Sequence, residues 1–172
     1  MGLLPIRLYG DPVLRAKARP VEEVDDDLRR LAEDMVETMR EAEGIGLAAN
    51  QVGDLRRVLV VDFRPVTGED RTEALINPEI VTEDGTMMLE EGCLSIPDVR
   101  EEIERSAAVR VSYLNQDGEA SEIEAEGLMS AVLQHEIDHL NGVLITDRIS
   151  PMRRALLRGV LKKISREAAQ RA

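Results

Sequence analysis

Sulfur and imidazole are scarce in this chain, whose 172 residues include one cysteine and two histidines. A single thiol cannot close an intrachain disulfide, so an oxidising compartment offers it nothing, and the expected location is the reducing cytoplasm. No run of 18 or more apolar residues is present, which excludes a membrane-spanning helix. The opening Met1-Gly2-Leu3-Leu4-Pro5-Ile6 has no basic lead and too short an apolar stretch for a signal peptide, and Ile6 stands where a myristoylation motif needs Ser or Thr. Internal repeats, low-complexity tracts and interdomain linkers are missing as well, so a single domain over residues 1–172 is expected. Positive charge is also short: 22 Lys and Arg face 34 Asp and Glu, and the formal net charge of −12 argues against a general nucleic-acid binder.

What is present is organised. From Asp25 to Ala42, Leu28, Leu31, Ala32, Met35, Val36, Met39 and Ala42 recur at helical spacing, with acidic residues at the start and Gly44 past the end. Short β signals follow at residues 57–62, 74–81 and 87–96, and residues 108–114 and 120–126 read as a hairpin around Asp117-Gly118. Residues 128–140 have the length and periodicity of a helix, stopped by Asn141-Gly142. A short strand over 143–145 and a final helix capped by Ser150 with Pro151 at its first position complete the chain. The pattern predicts an α+β fold of small antiparallel sheets packed around a central helix, with an N-terminal and a C-terminal helix.

Both histidines lie on that central helix in the run His135-Glu136-Ile137-Asp138-His139. Their spacing puts two imidazoles on one face a turn apart, where they can grip one metal ion with Glu136 beside it as a base. A catalytic site of this kind takes a third protein ligand and leaves a position open. Cys93, in Glu91-Gly92-Cys93-Leu94-Ser95, is the candidate, because the chain has no other His or Cys. A third segment, Gly44-Ile45-Gly46-Leu47-Ala48-Ala49-Asn50-Gln51, combines small residues that admit a substrate backbone with the Gln51 side-chain amide, a donor suited to a developing oxyanion.

Together these segments closely resemble the peptide deformylase family, whose pattern is GxGLAAxQ, then EGCxS, then HExxH. Every fixed position is matched, at Gly44, Gly46, Leu47, Ala48, Ala49 and Gln51, at Glu91, Gly92, Cys93 and Ser95, and at His135, Glu136 and His139. The resemblance implies a compact α+β enzyme, one catalytic domain over 1–172 with a basic C-terminal helix region over 147–172. It implies removal of the formyl group from the formyl-methionine of new polypeptides, with release of formate. It also implies that Cys93, His135 and His139 hold one divalent metal ion, Fe2+ in the cell, with Zn2+, Ni2+ or Co2+ as ions the same donors accept. Glu136 then moves the proton, Gln51 and the backbone N–H of Leu94 stabilise the oxyanion, and the Gly46 carbonyl accepts the formamide N–H. Ile45, Leu89, Leu128 and Val132 are expected to line a pocket for the methionine side chain, and Glu43 and Arg100 read either as a pair near its rim or as solvated surface residues.

Two other classes fit parts of the pattern. A zinc endopeptidase also uses His-Glu-x-x-His, but its third ligand normally lies downstream and is a carboxylate or histidine. A non-catalytic, metal-stabilised binding protein would leave Glu136 dispensable. The tail adds a separate feature: residues 148–172 hold eight Lys or Arg against one Glu, which leaves −19 on residues 1–147. Arg154, Arg158 and Lys162 follow one another at i+4, a stripe that reads either as a solvated helix face or as a contact to ribosomal RNA. The family resemblance implies such ribosome binding in some bacterial members. No aromatic residue follows Tyr113, so the tail cannot stack on bases and would touch phosphates instead.

Overall fold

The computed structural model describes residues 2–171. Asp25 caps the first helix, α1 (Asp26–Glu41), its carboxylate accepting the Leu28 N–H at 2.9 Å, and Leu28, Ala32, Met35 and Met39 turn inward. A short strand β1 (Gly46–Ala48) runs into one turn of 3-10 helix at Ala49–Val52, followed by β2 (Val58–Asp62), a one-turn helix α2 (Arg64–Thr67) and the long β3 (Thr72–Asp84). Two hairpins come next, β4 (Met87–Cys93) with β5 (Ile96–Arg105), and β6 (Ala108–Leu114) with β7 (Ala120–Glu126). The central helix α3 (Gly127–Leu140), a 3-10 turn at Ile145–Asp147, and the helices α4 (Pro151–Leu156) and α5 (Arg158–Arg171) complete the order.

The strands form a five-stranded antiparallel sheet in the order β1-β2-β3-β6-β7, while β4 and β5 pair only with each other. All five residues of β2 are buried because both faces of this sheet are covered. Leu59 and Val61 pack with Leu133 and Ile137 of α3, and Val58 and Val60 with Met35 and Met39 of α1. Each such aliphatic side chain contributes roughly 1.5–3 kcal/mol relative to exposure. A third cluster joins Ile96 and Ile103 of the β4–β5 hairpin to Leu144 and Ile164. Helix α3 touches the sheet through β1, β2, β6 and β7, and the hairpin through β4 and β5.

Several details depart from the sequence expectation. Residues 143–145 do not form a strand, because the Asp147 carboxylate accepts the Leu144 N–H at 2.9 Å and curls the chain into the 3-10 turn. The final helix is broken at Leu157, two residues before the helix-weakening Gly159. Strand β5 was not foreseen because two of its inward positions, Glu101 and Arg105, are charged yet only 7% and 4% exposed.

Candidate metal centre and active-site cleft

Helix α3 carries His135 and His139 one turn apart, with their Nε2 atoms 3.2 Å from each other. Cys93 ends β4 at a register shift, and its Sγ lies 3.3 Å from His139 Nε2. The three ligand atoms all fall within 4.8 Å of one another. A tetrahedral ion with metal–nitrogen bonds of about 2.0–2.1 Å and a metal–sulfur bond of about 2.3 Å sets its ligand atoms roughly 3.3–3.6 Å apart. Both edges that meet at His139 Nε2 fit, and the thiolate–imidazole set suits zinc, iron(II), cobalt and nickel alike.

Behind these donors runs a buried chain of charge. The Nδ1–H of His135 donates to Glu91 at 2.9 Å, which leaves Nε2 as the lone pair facing Cys93 and His139. Both oxygens of Glu91 accept from Arg105 at 2.8 Å, and Arg105 also donates to Asp138 at 2.7 Å. Asp138 is held from the other side by Arg148 at 2.6 and 2.7 Å. Burial pushes the Glu91 carboxyl up, but the bonds from Arg105 and His135 outweigh it and keep Glu91 below the usual carboxylate range. Although Glu91 belongs to the EGCxS motif, its partner Arg105 stands outside every motif, and Asp138, the second partner of Arg105, fills a free position of HExxH.

Glu136 is 4% exposed, with one carboxylate oxygen 3.8 Å from His135 Nε2 and the other without a hydrogen-bond partner among the described residues. Burial, offset by His135 and reinforced by Glu91, raises its carboxyl to about 7. The approach of this side chain depends on Gly46: a Cβ there would lie 2.8 Å from Glu136 Cγ and 3.0 Å from Val132 Cγ1. Gln51 comes from the 3-10 turn. Its Oε1 accepts the Ala48 N–H at 3.0 Å, which aims its Nε2 at Ser95 Oγ (3.1 Å) and Cys93 Sγ (3.8 Å).

These groups open on a cleft of about 520 Å³ lined by Ile45, Gly46, Gln51, Cys93, Leu94, Leu128, Val132, His135 and Glu136. Leu128 stands 43% exposed at its lip. Leu89, expected in this pocket, lies half-buried on β4 opposite Ile103, directly before Glu90 and Glu91, which line the cleft with Gly92 and Cys93. The candidate Glu43–Arg100 pair is replaced by Arg100 with Glu90 at 2.7 Å, although both Glu43 and Arg100 do line the cleft. The C-terminal stripe survives the helix break: Arg154, Arg158 and Lys162 line one shallow groove of about 420 Å³ with Tyr9, Ala155 and Leu161.

Comparison with known proteins gives one answer. Residues 3–155 match the family model described as Polypeptide deformylase. A peptide deformylase of Mesorhizobium japonicum is 50% identical, over 98% of this chain and 97% of its own length. One from a Thermotoga species is 52% identical, over 94% and 96%. Among solved structures, the peptide deformylase from Thermus thermophilus superposes with a TM-score of 0.89 at 44% identity, covering 96% of this chain and 99% of that one.

Proposed function

Since this chain belongs to the polypeptide deformylase family and removes the formyl group from formyl-methionyl polypeptides, we propose that Cys93, His135 and His139 hold its metal ion and that Glu136 moves the proton. The single observation that carries this assignment is the convergence of three N and S donors within 4.8 Å, with His139 Nε2 3.2 Å from His135 Nε2 and 3.3 Å from Cys93 Sγ, beside a buried carboxylate. A divalent ion held there supplies Lewis acidity and brings a water molecule's pKa toward neutrality. Glu136 accepts a proton as the water oxygen bonds to the formyl carbon, then returns a proton to the amine nitrogen as the C–N bond breaks, giving formate and a free N-terminus. Gln51 Nε2 and the backbone N–H of Leu94 donate to the formyl oxygen as it gains negative charge, and the Gly46 carbonyl accepts the formamide N–H. Ile45, Leu89, Leu128 and Val132 receive the methionine side chain.

The same reading extends to the setting. Fe2+ is the proposed ion in the cell, with Zn2+, Ni2+ or Co2+ able to replace it. The chain acts as one catalytic domain in the cytoplasm, where a ligating thiol stays reduced. No helix among the described residues is long and apolar enough to cross a membrane. The groove of Arg154, Arg158 and Lys162 is proposed to touch ribosomal RNA, bringing the cleft near emerging chains.

The test is a formyl-Met-Ala hydrolysis assay with metal analysis of the same samples. Glu136→Gln is expected to keep its metal and lose about 10² to 10⁴ in rate, whereas Cys93→Ala loses both. A Cys93→Ala protein with stoichiometric metal and normal turnover overturns the ligand set. Cleavage of unformylated peptide bonds would favour the endopeptidase instead.

A further inference from the structure

Residue 50 is a position that the GxGLAAxQ pattern leaves free, yet Asn50 is fully buried. It sits on the 3-10 turn beside Gln51 and faces the other way, toward the end of α3. Its Nδ2 donates to the backbone carbonyl of His139 and lies 3.5 Å from that of Ala16. The last carbonyls of a helix have no partner within it. Here that of His139 is met by Asn50 and the Gly142 N–H, and that of Leu140 by the Ala18 N–H and Arg57.

Two further atoms make this more than a helix cap. Asn50 Oδ1 and His139 Nδ1 are both buried without a hydrogen-bond partner among the described residues. With Nε2 of His139 turned to Cys93 and His135, its ring proton belongs on Nδ1, which makes that atom a donor. One orphan is thus a donor and the other an acceptor, on residues already tied side chain to main chain. Leaving both unmade would cost each its hydration with nothing in return. Metal-ligating histidines ordinarily engage their second nitrogen, as His135 does with Glu91.

We propose that Asn50 is the positioning residue for His139, fixing its main chain through Nδ2 and its ring through Oδ1 by way of one buried water that accepts the Nδ1–H. The 3-10 turn thereby reaches the centre twice, through Gln51 to Cys93 and through Asn50 to His139. The inference rests on the proposed ligand set.

The experiment uses the full chain loaded with Zn2+ or Co2+. In ¹⁵N-labelled Zn2+ protein, the His139 Nδ1–H is expected as a slowly exchanging resonance. In Asn50→Leu and Asn50→Ala it should be lost, with Co2+ passing to a competing chelator about 10- to 100-fold faster and the thiolate-to-Co2+ absorption altered. Rapid exchange of the His139 Nδ1–H in the unsubstituted protein overturns the proposal without reference to any variant. So does a variant that melts earlier but releases Co2+ at the unsubstituted rate, the result of a merely structural cap. Failure of the ligand set itself has a different signature, with neither His135 nor His139 shifting when metal is added.

Discussion

Adding one methyl group at Gly46 should disable the enzyme while leaving its metal in place. The new Cβ would meet Glu136 Cγ at 2.8 Å, Val132 Cγ1 at 3.0 Å and Glu136 Cδ at 3.1 Å, where ordinary contact begins near 3.4 Å. At least about 0.6 Å must be found between β1 and α3, in an interior packed too densely to yield it freely. Overpacking of this kind costs about 1–3 kcal/mol of stability, and a misplacement approaching 1 Å in a catalytic group costs about 10²-fold in rate. Gly46→Ala is therefore expected to lower kcat/KM for formyl-Met-Ala by about 10- to 100-fold with stoichiometric metal retained. Gly159→Ala is the control for activity, since a Cβ there, on α5 and outside the cleft lining, would meet nothing within 4 Å. Its effect on kcat/KM should stay within about 0.5 kcal/mol, as for most surface changes. Activity of Gly46→Ala near that of the unsubstituted enzyme, or loss of its metal along with activity, would refute the reasoning.

Arg105→Ala should destabilise the fold by about 3–5 kcal/mol in urea titration, because it strands Glu91 and Asp138 without their shared buried partner. Asp62 is pushed up by burial but held below its ordinary 3.8 by the Arg64 N–H and the Arg40 guanidinium. The stability it lends is therefore complete above its unfolded value and lost as pH falls through the lower folded one. Asp62→Asn should flatten the stability–pH curve below about pH 4 and leave its slope at neutral pH unchanged. A formyl-methionyl peptide should exceed its formyl-alanyl counterpart in kcat/KM by about 1–3 kcal/mol, and Val132→Ala should narrow that gap. Charge reversal of Arg154, Arg158 and Lys162 together should abolish ribosome cosedimentation at low salt and spare hydrolysis of a short peptide; cosedimentation that survives reduces the stripe to a solvated face.

The helices α1 and α3 were legible because their apolar spacing coincides with burial, and the hairpin β6–β7 because Asp117-Gly118 announces its turn. Strand β5 was not, since alternation is read from apolar residues and its inward row includes Glu101 and Arg105, whose partners Arg153, Glu91 and Asp138 lie far along the chain. At three residues, β1 is too short to show a period. The candidate ligands could be named because cysteine and histidine are so few. Their supports could not, because Arg and Asn are common surface residues and nothing local marks Arg105 or Asn50 as buried.

The isolation of the β4–β5 hairpin from the five-stranded sheet has a consequence for how the enzyme ages. With ligands as proposed, the ion is a cross-link between that hairpin and α3, closing a loop from Cys93 to His135 much as a disulfide would. Opening of the hairpin, which pairs with no strand of the main sheet, would carry Cys93 away from the two histidines and offers the ion one route of escape. Opening the hairpin would break its packing against Leu144 and Ile164 and its Arg105–Asp138 pair, yet could spare the five-stranded sheet, so the loaded enzyme would lose its ion before the whole chain unfolds.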